Sequence, residues 1–199
     1  MIYAEPVELQ SLAPGLWRWT ASHPEWEEPT EQDSPADWPR DVGCVAYAGR
    51  ESLVLIDPLV TDDNYGTLDE LAESKDSVAV LTTLGFHKRS CDELATRYDA
   101  VSTPPDGVQA LPVDGAGETM FWIDEHRALV PGDRILGDRP PGLRLCPDSW
   151  LRYLNGYNRE DLRQALRPQV LDLPVEMVLV SHGSPVLTDG RAELERILA

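Results

Sequence analysis

Two polar residues follow apolar strands in this sequence and are of types that bind metal ions. His182 lies in the segment SHG directly after an apolar run, and Asp133 ends the segment PGD after an expected hairpin. Imidazole nitrogen and carboxylate oxygen suit zinc, iron(II) or manganese. Each residue also has a structural interpretation, because a loop aspartate can accept bonds from loop amides and a histidine can bond a buried carbonyl. The residue types alone leave both roles open.

The other three histidines have less favourable surroundings. His87 is followed directly by Lys88 and Arg89. Two adjacent cations that point inward would disfavour both a divalent metal and a protonated imidazole, so we expect His87 at the surface. His23 lies in an acidic loop and His126 in a charged hairpin turn, and neither is expected to take part in catalysis.

Nucleophilic catalysis without a metal has little support in the sequence. No Gly-x-Ser-x-Gly elbow occurs, and the cysteines lie in no CxxC or CxH pair. We therefore expect Cys44, Cys91 and Cys146 to be buried free thiols.

Hydrophobic patterns predict the elements that must position these residues. A strand over 15–20 precedes an acidic, proline-rich loop insertion over 22–41, which carries Trp26 and Trp38. These tryptophans are expected to pack onto the body of the domain rather than to form a lid over a pocket. Further strands are predicted over 43–48, 52–56, 77–82, 118–123, 128–131 and 176–180, and helices over 68–74, 90–98, 159–166 and 191–198.

Length and charge restrict the class of protein. The 199 residues, 42% of them hydrophobic, are expected to form one domain over 1–199. A formal charge of −18 disfavours nucleic acid and anionic membrane surfaces as partners. No apolar stretch approaches the roughly 18 residues of a membrane span and no signal-peptide pattern occurs, so we expect a cytoplasmic protein. The oligomeric state is not indicated.

Four segments, in this order, resemble the metallo-β-lactamase superfamily. They are LVLIDPL (53–59), VLTT (80–83), MFWIDEHRALVPGD (120–133) and VLVSHG (178–183). The resemblance spans roughly residues 13 to 187, and the hairpin ending in Gly-Asp is its most distinctive part. It implies an α+β protein with an αβ/βα sandwich, in which two mixed sheets pack face to face with helices outside. It also implies a site for one or two metals, built from loops at the edges of the sheets.

The main metal motif of the superfamily, Thr-His-x-His-x-Asp-His, is degenerate in residues 82–90. With Thr83 as the motif threonine, the ligand positions fall on Leu84, Phe86, Lys88 and Arg89. With Thr82 in that place, they fall on Thr83, Gly85, His87 and Lys88. Either alignment loses at least three ligands, but the second leaves His87 where the motif has its aspartate.

The resemblance implies further ligands outside this motif. Asp114, in the segment PVDG, corresponds to a histidine of the superfamily, although Asp-Gly is also an ordinary turn pair. Asp133 corresponds to the residue that bridges two metals, and His182 corresponds to the last histidine ligand. Together with His87, these candidates could hold one divalent metal (zinc, iron or manganese), or none.

Two functions are compatible with this degenerate motif. With one metal, the protein is a hydrolase that attacks an ester, thioester or amide carbonyl of a small molecule with metal-activated water. Without a metal, Lys88, Arg89 and Arg134 fill the cavity, pair with Asp133 and Asp114, and bind a small anion, as in an inactive pseudoenzyme. The convergence of imidazole and carboxylate on one point favours the first function, and a guanidinium or ammonium at that point favours the second.

Overall fold

A computed structural model of the protein describes residues 8–32, 34, 36–139, 142–154 and 156–199. The strands are β1 (Gln10–Ala13), β2 (Leu16–Ser22), β3 (Asp41–Ala48), β4 (Ser52–Ile56), β5 (Ser77–Leu81), β6 (Val108–Val113), β7 (Glu118–Ile123), β8 (Ala128–Val130), β9 (Ile135–Gly137), β10 (Leu143–Leu145) and β11 (Met177–Val178). The helices are α1 (Tyr65–Glu73), α2 (Cys91–Tyr98), α3 (Asp148–Leu151), α4 (Arg159–Val170) and α5 (Gly190–Leu198).

The strands form two mixed sheets, since each sheet adds one parallel strand to a set of antiparallel ones. In the described part of the chain, the first sheet has the order β1-β2-β3-β4-β5, and β5 runs parallel to β4. The second has the order β11-β8-β7-β6, and β11 runs parallel to β8. Strands β9 and β10 form a separate antiparallel pair.

Alternation along the strands separates two faces of the first sheet. In β4, Val54 and Ile56 pack in a cluster with Phe121 of the second sheet, whereas Leu53 and Leu55 pack in the cluster that includes α1 and α2. The outer face of the second sheet packs against α4 and α5. Burial of apolar side chains on both faces of each sheet therefore holds four layers together, helices outside and sheets inside. This is the predicted sandwich.

Most predicted elements are present with shifted ends. Helix α4 runs past Pro168 to Val170, four residues beyond its predicted end, and begins with a capping box in which the Asn158 side chain accepts two backbone N–H bonds. The predicted strand over 176–180 is reduced to the two residues of β11. Four strands, β1, β6, β9 and β10, and the short helix α3 were not expected from the sequence pattern.

The predicted loop insertion over 22–41 corresponds to the connection between β2 and β3. Its described residues form neither helix nor strand between the end of β2 at Ser22 and the start of β3 at Asp41. None of the described helices is long and apolar enough to cross a lipid bilayer.

Candidate metal site

His87, Asp133 and His182 meet at one edge of the sandwich. His87 ends a short 3₁₀ turn (Gly85–His87) after β5, Asp133 follows β8, and His182 lies in the loop after β11. One potential ligand atom from each lies within 4.8 Å of the other two. The Asp133 Oδ1 atom is 3.1 Å from Nε2 of His87 and 3.2 Å from Nε2 of His182. The first sheet thus contributes one of these residues and the second sheet contributes two.

The spacing of the three atoms is compatible with one shared metal ion. Asp133 Oδ1 is buried and accepts no hydrogen bond, although both imidazole Nε2 atoms lie close to it. Metal–ligand distances of about 2.0–2.1 Å place neighbouring atoms of a tetrahedral site about 3.3 Å apart. The observed separations from Asp133 Oδ1 are close to this value. The donor set therefore fits one divalent metal.

Asp57 orients His87. Its Oδ2 atom lies 2.8 Å from His87 Nδ1, and the same carboxylate accepts hydrogen bonds from the backbone N–H and the hydroxyl of Thr83, at 2.8 and 2.5 Å. Asp57 is only 2% exposed and has a left-handed backbone conformation, with φ of 49°. A carboxylate bonded to the far nitrogen of a histidine fixes the ring and its tautomer, and this leaves Nε2 facing Asp133.

Glu118 fixes the turn that carries Asp133. Its carboxylate accepts the backbone N–H groups of Gly132, Asp133 and Arg134 at 3.1, 2.7 and 3.0 Å. Burial raises the pKa of Glu118 to about 7, against the opposing effect of the Arg134 guanidinium. A Cβ atom on Gly132 would lie 2.5 Å from Leu84 Cδ2, so a larger residue here must displace its neighbours.

Aromatic rings surround His182. The rings of Trp38, Trp150 and His87 each have their centroid 6.0 Å from that of His182. Nε2 of His182 faces Asp133, whereas Nδ1 is buried and has no hydrogen-bond partner. The preceding residue, Ser181, accepts a hydrogen bond from Arg89 at 2.7 Å and so connects this loop to the one after β5.

Two carboxylates control the protonation of His87. Burial lowers the pKa of His87, but the charges of Asp57 and Asp133 outweigh this and raise it to about 9. For Asp133 the opposite holds, because burial raises its pKa and the nearby imidazoles bring it well below the usual range. Without a metal, His87 is thus protonated at neutral pH and forms a buried ion pair with Asp133.

The expectation that His87 lies at the surface is wrong. Its side chain is 5% exposed, while the neighbouring Lys88 is exposed and points away. Arg89 donates to the carbonyl oxygens of Gly43 and Asp57 at 3.0 and 2.8 Å, so it does not lie between the candidate ligands. In the 3₁₀ turn successive side chains lie about 120° apart, so His87 faces inward while Phe86 and Lys88 are exposed, and the Asp57 carboxylate provides the charge that His87 needs inside.

The remaining candidate residues have other positions. Asp114 is exposed and does not belong to the cluster; its backbone carbonyl accepts the Tyr157 hydroxyl at 2.8 Å. Arg134 is buried, and its guanidinium donates to the carbonyl oxygen of Ala116 at 3.1 and 2.9 Å. Of the residues that the two motif alignments offer, His87 is the one that lies in the described His-Asp-His cluster.

Asp57 and Glu118 are the site residues that sequence reasoning missed. Neither is among the candidate residues, and Glu118 is predicted only as the first residue of the strand over 118–123. The available signal for Asp57 was its place directly after a buried strand, in the segment LVLIDPL. Glu118 gave no signal, because its three backbone partners come from a turn that follows the next strand.

A cavity of about 570 Å³ lies beside the three candidate ligands. Trp38 lines it and also packs against the core, while Trp26 donates its indole N–H to the Trp38 carbonyl at 2.8 Å. Trp38 therefore packs onto the body of the protein, as expected, at the edge of the cavity, whereas Trp26 bonds the backbone of its own loop. The lining residues are His23, Glu25, Trp38, Val42, Leu84, Phe86, His87, Arg89, Asp133, Arg134, Trp150, Tyr153, Leu154 and His182.

The three cysteines lie apart from this chemistry. Cys44, Cys91 and Cys146 are buried free thiols, as predicted. Burial raises the pKa of each thiol to about 11, so none of them is a thiolate nucleophile at neutral pH.

Comparisons with known proteins establish the fold. No protein-family model matches the sequence, and a comparison with curated proteins gives no significant match. Among solved structures, a metallo-β-lactamase from Erythrobacter litoralis in a mono-zinc form is 16% identical with a TM-score of 0.62, covering 100% of this chain and 97% of that one. A metallo-β-lactamase from Hirschia baltica is 15% identical with a TM-score of 0.59, covering 98% of both chains. The chain has the metallo-β-lactamase fold, as its four sequence segments predicted.

Proposed function

We propose that the protein is a hydrolase of ester, thioester or amide bonds in small molecules, and that one divalent metal is held by His87, Asp133 and His182. The observation that supports this most directly is the buried Asp133 Oδ1, which lies 3.1 and 3.2 Å from two imidazole nitrogens without a hydrogen bond to either. A buried carboxylate oxygen that accepts no hydrogen bond is costly even beside a charged imidazole, and a metal ion would satisfy it.

The donor set indicates which metals to test. Two imidazoles and one carboxylate suit zinc, iron(II) or manganese. Three protein ligands leave a coordination position open, which is typical of catalytic sites and not of closed structural ones. The solved structure of the Erythrobacter litoralis protein in a mono-zinc form shows that this fold accepts a single metal in a relative.

The residues of the chain have separate roles in this hydrolysis. A metal at the site supplies a Lewis acid that polarises the substrate carbonyl and lowers the pKa of a bound water. Asp57 keeps Nε2 of His87 directed at Asp133, and Glu118 keeps the Asp133 turn in place. His23 lines the same cavity, and burial followed by the charge of Arg89 lowers its pKa, which favours the neutral imidazole.

A metal-free anion-binding protein is the alternative. Arg89 and Arg134 both line the cavity, and Nε of Arg89 is buried without a partner. However, their other guanidinium nitrogens donate to backbone carbonyls and to Ser181, and Lys88 is exposed. These contacts favour the metal-dependent hydrolase.

Elemental analysis tests the proposal. The wild type, His182→Ala, Asp133→Ala and the control His126→Ala are purified without an affinity-tag metal and then incubated with zinc, iron(II) or manganese. We expect about one equivalent of metal in the wild type and the control, and none in the two site variants. The metal-loaded wild type is then expected to hydrolyse a simple aryl ester or thioester faster than Asp133→Ala does. Absence of metal from the wild type in excess metal would overturn the proposal in favour of anion binding.

A further inference from the structure

Two exposed aromatic side chains stand at the entrance of the cavity beside the candidate ligands. Phe86 is 86% exposed and Tyr153 is 67% exposed, and both line this cavity. The fold has no need of either ring, because each is open to water rather than packed in a core. Apolar surface that is concentrated at the mouth of a cavity marks a binding site.

Further aromatic rings continue from this entrance toward the candidate ligands. Trp38 is half-buried and Trp150 is 9% exposed, and the centroid of each ring lies 6.0 Å from that of His182. The Trp150 indole N–H donates to the Ser34 carbonyl at 3.3 Å, which fixes the plane of this ring. Four of the chain's Phe, Trp and Tyr side chains therefore line one path from solvent to the ligand cluster.

The charged side chains of the cavity give no preference for an ionic ligand. The lining cations are Arg89, Arg134 and the protonated His87, and they are balanced by Glu25, Asp133 and the Asp57 that pairs with His87. The two guanidinium groups already donate to backbone carbonyl oxygens. Selection in the outer cavity therefore depends on apolar faces and ring contacts rather than on charge.

From these observations we infer that the outer cavity binds an aromatic ring of the substrate, and that Phe86 and Tyr153 determine this specificity. Aromatic pairs have favourable offset and edge-to-face geometries at centroid separations of about 4.5–7 Å. A volume of about 570 Å³ suits a small molecule whose ring lies at Phe86 and Tyr153 while its carbonyl reaches His87, Asp133 and His182. The inference that the bound molecule is hydrolysed rests on the proposed function. The inference that its aromatic ring binds in the outer cavity does not.

Binding of a neutral aromatic probe tests the inference without any hydrolysis. Benzyl alcohol and cyclohexylmethanol, which have similar size and differ in aromaticity, are titrated against the metal-free and the zinc-treated protein by ligand-observed NMR. The variants are Phe86→Ala and Tyr153→Ala. Leu187→Ala serves as the control, because Leu187 is 43% exposed and does not line the cavity. Thermal unfolding confirms that each variant is folded.

We expect benzyl alcohol to bind more tightly than cyclohexylmethanol. Phe86→Ala and Tyr153→Ala should each weaken benzyl alcohol binding by about 2- to 10-fold, and Leu187→Ala should leave it unchanged. Equal binding of the two alcohols, or an equal loss in Leu187→Ala, would overturn the inference. Because the probe needs neither metal nor catalysis, this result is separate from that of the elemental analysis.

Discussion

Each of two candidate ligands depends on a buried carboxylate that is not itself a ligand. Asp57 bonds the far nitrogen of His87, and Glu118 bonds the backbone on both sides of Asp133. Burying a carboxylate is costly unless its oxygens are fully bonded, and both of these are bonded by fixed donors. At both positions, the buried carboxylate restricts a candidate ligand to one orientation. The contribution of these carboxylates to metal affinity can be measured.

Replacing Asp57 with asparagine tests how much its carboxylate contributes to metal affinity. Asp57→Asn keeps the size of the side chain but removes the charge that orients His87 Nδ1, and its amide can turn an N–H toward the ring. We expect zinc affinity to fall by about 10–100-fold, as measured by competition with a chromophoric chelator. Asp63→Asn, an exposed aspartate in the segment after β4, is the control and should bind zinc as the wild type does. Equal affinity in both variants would mean that Asp57 only supports the turn.

Sequence reasoning has clear limits at the scale of residues. Asp133 and His182 could be named as candidate ligands from the sequence, because each follows an apolar run and matches a ligand position that the resemblance implies. The environment of His87 could not be derived, because its neighbours in sequence are cations while its partner, Asp57, lies 30 residues earlier. The role of Glu118 could not be derived either, because nothing in the local sequence distinguishes a buried glutamate at the start of a strand from an exposed one. Both misjudgements concern charges whose partners are distant in the chain.

At the scale of elements, the sequence predicted what local hydrophobicity determines. Continuous apolar runs identified β4 and β5, because strands covered on both faces are apolar throughout. Strands β9 and β10 depend instead on pairing with each other, and their short length leaves little local pattern. The turn from β8 to β9, which carries Asp133, is likewise set by its tertiary contacts, and Gly132 is its most constrained position.

Gly132→Ala tests the constraint on this turn. The new Cβ would lie 2.5 Å from Leu84 Cδ2, 2.7 Å from Thr83 Oγ1 and 2.9 Å from Glu118 Oε2. Relief of this overlap must displace these three buried side chains or the turn, so we expect a loss of about 1–3 kcal/mol in the free energy of unfolding by urea, together with weaker zinc binding. Gly66→Ala is the matched control, because a Cβ there meets nothing within 4 Å and alanine favours the helix α1. A similar stability for both variants would contradict the expected crowding.

At the scale of the whole molecule, a metal would connect the two sheets, because His87 belongs to the first and Asp133 and His182 to the second. At zinc concentrations about 100 times the dissociation constant, binding adds about 2.7 kcal/mol to the free energy of unfolding, or roughly 5–10 °C in Tm.

The stabilisation by zinc should depend on pH. The raised pKa of His87, about 9, means that its ion pair stabilises the metal-free protein below about pH 6.5 and that this contribution is lost as the pH rises through 9. Zinc must displace the same proton, so its affinity falls by up to about tenfold for each unit below pH 9. We expect calorimetry to give a larger zinc-induced rise in Tm at pH 8 than at pH 6, and none in His182→Ala. A rise that is independent of pH would show that His87 is not a ligand.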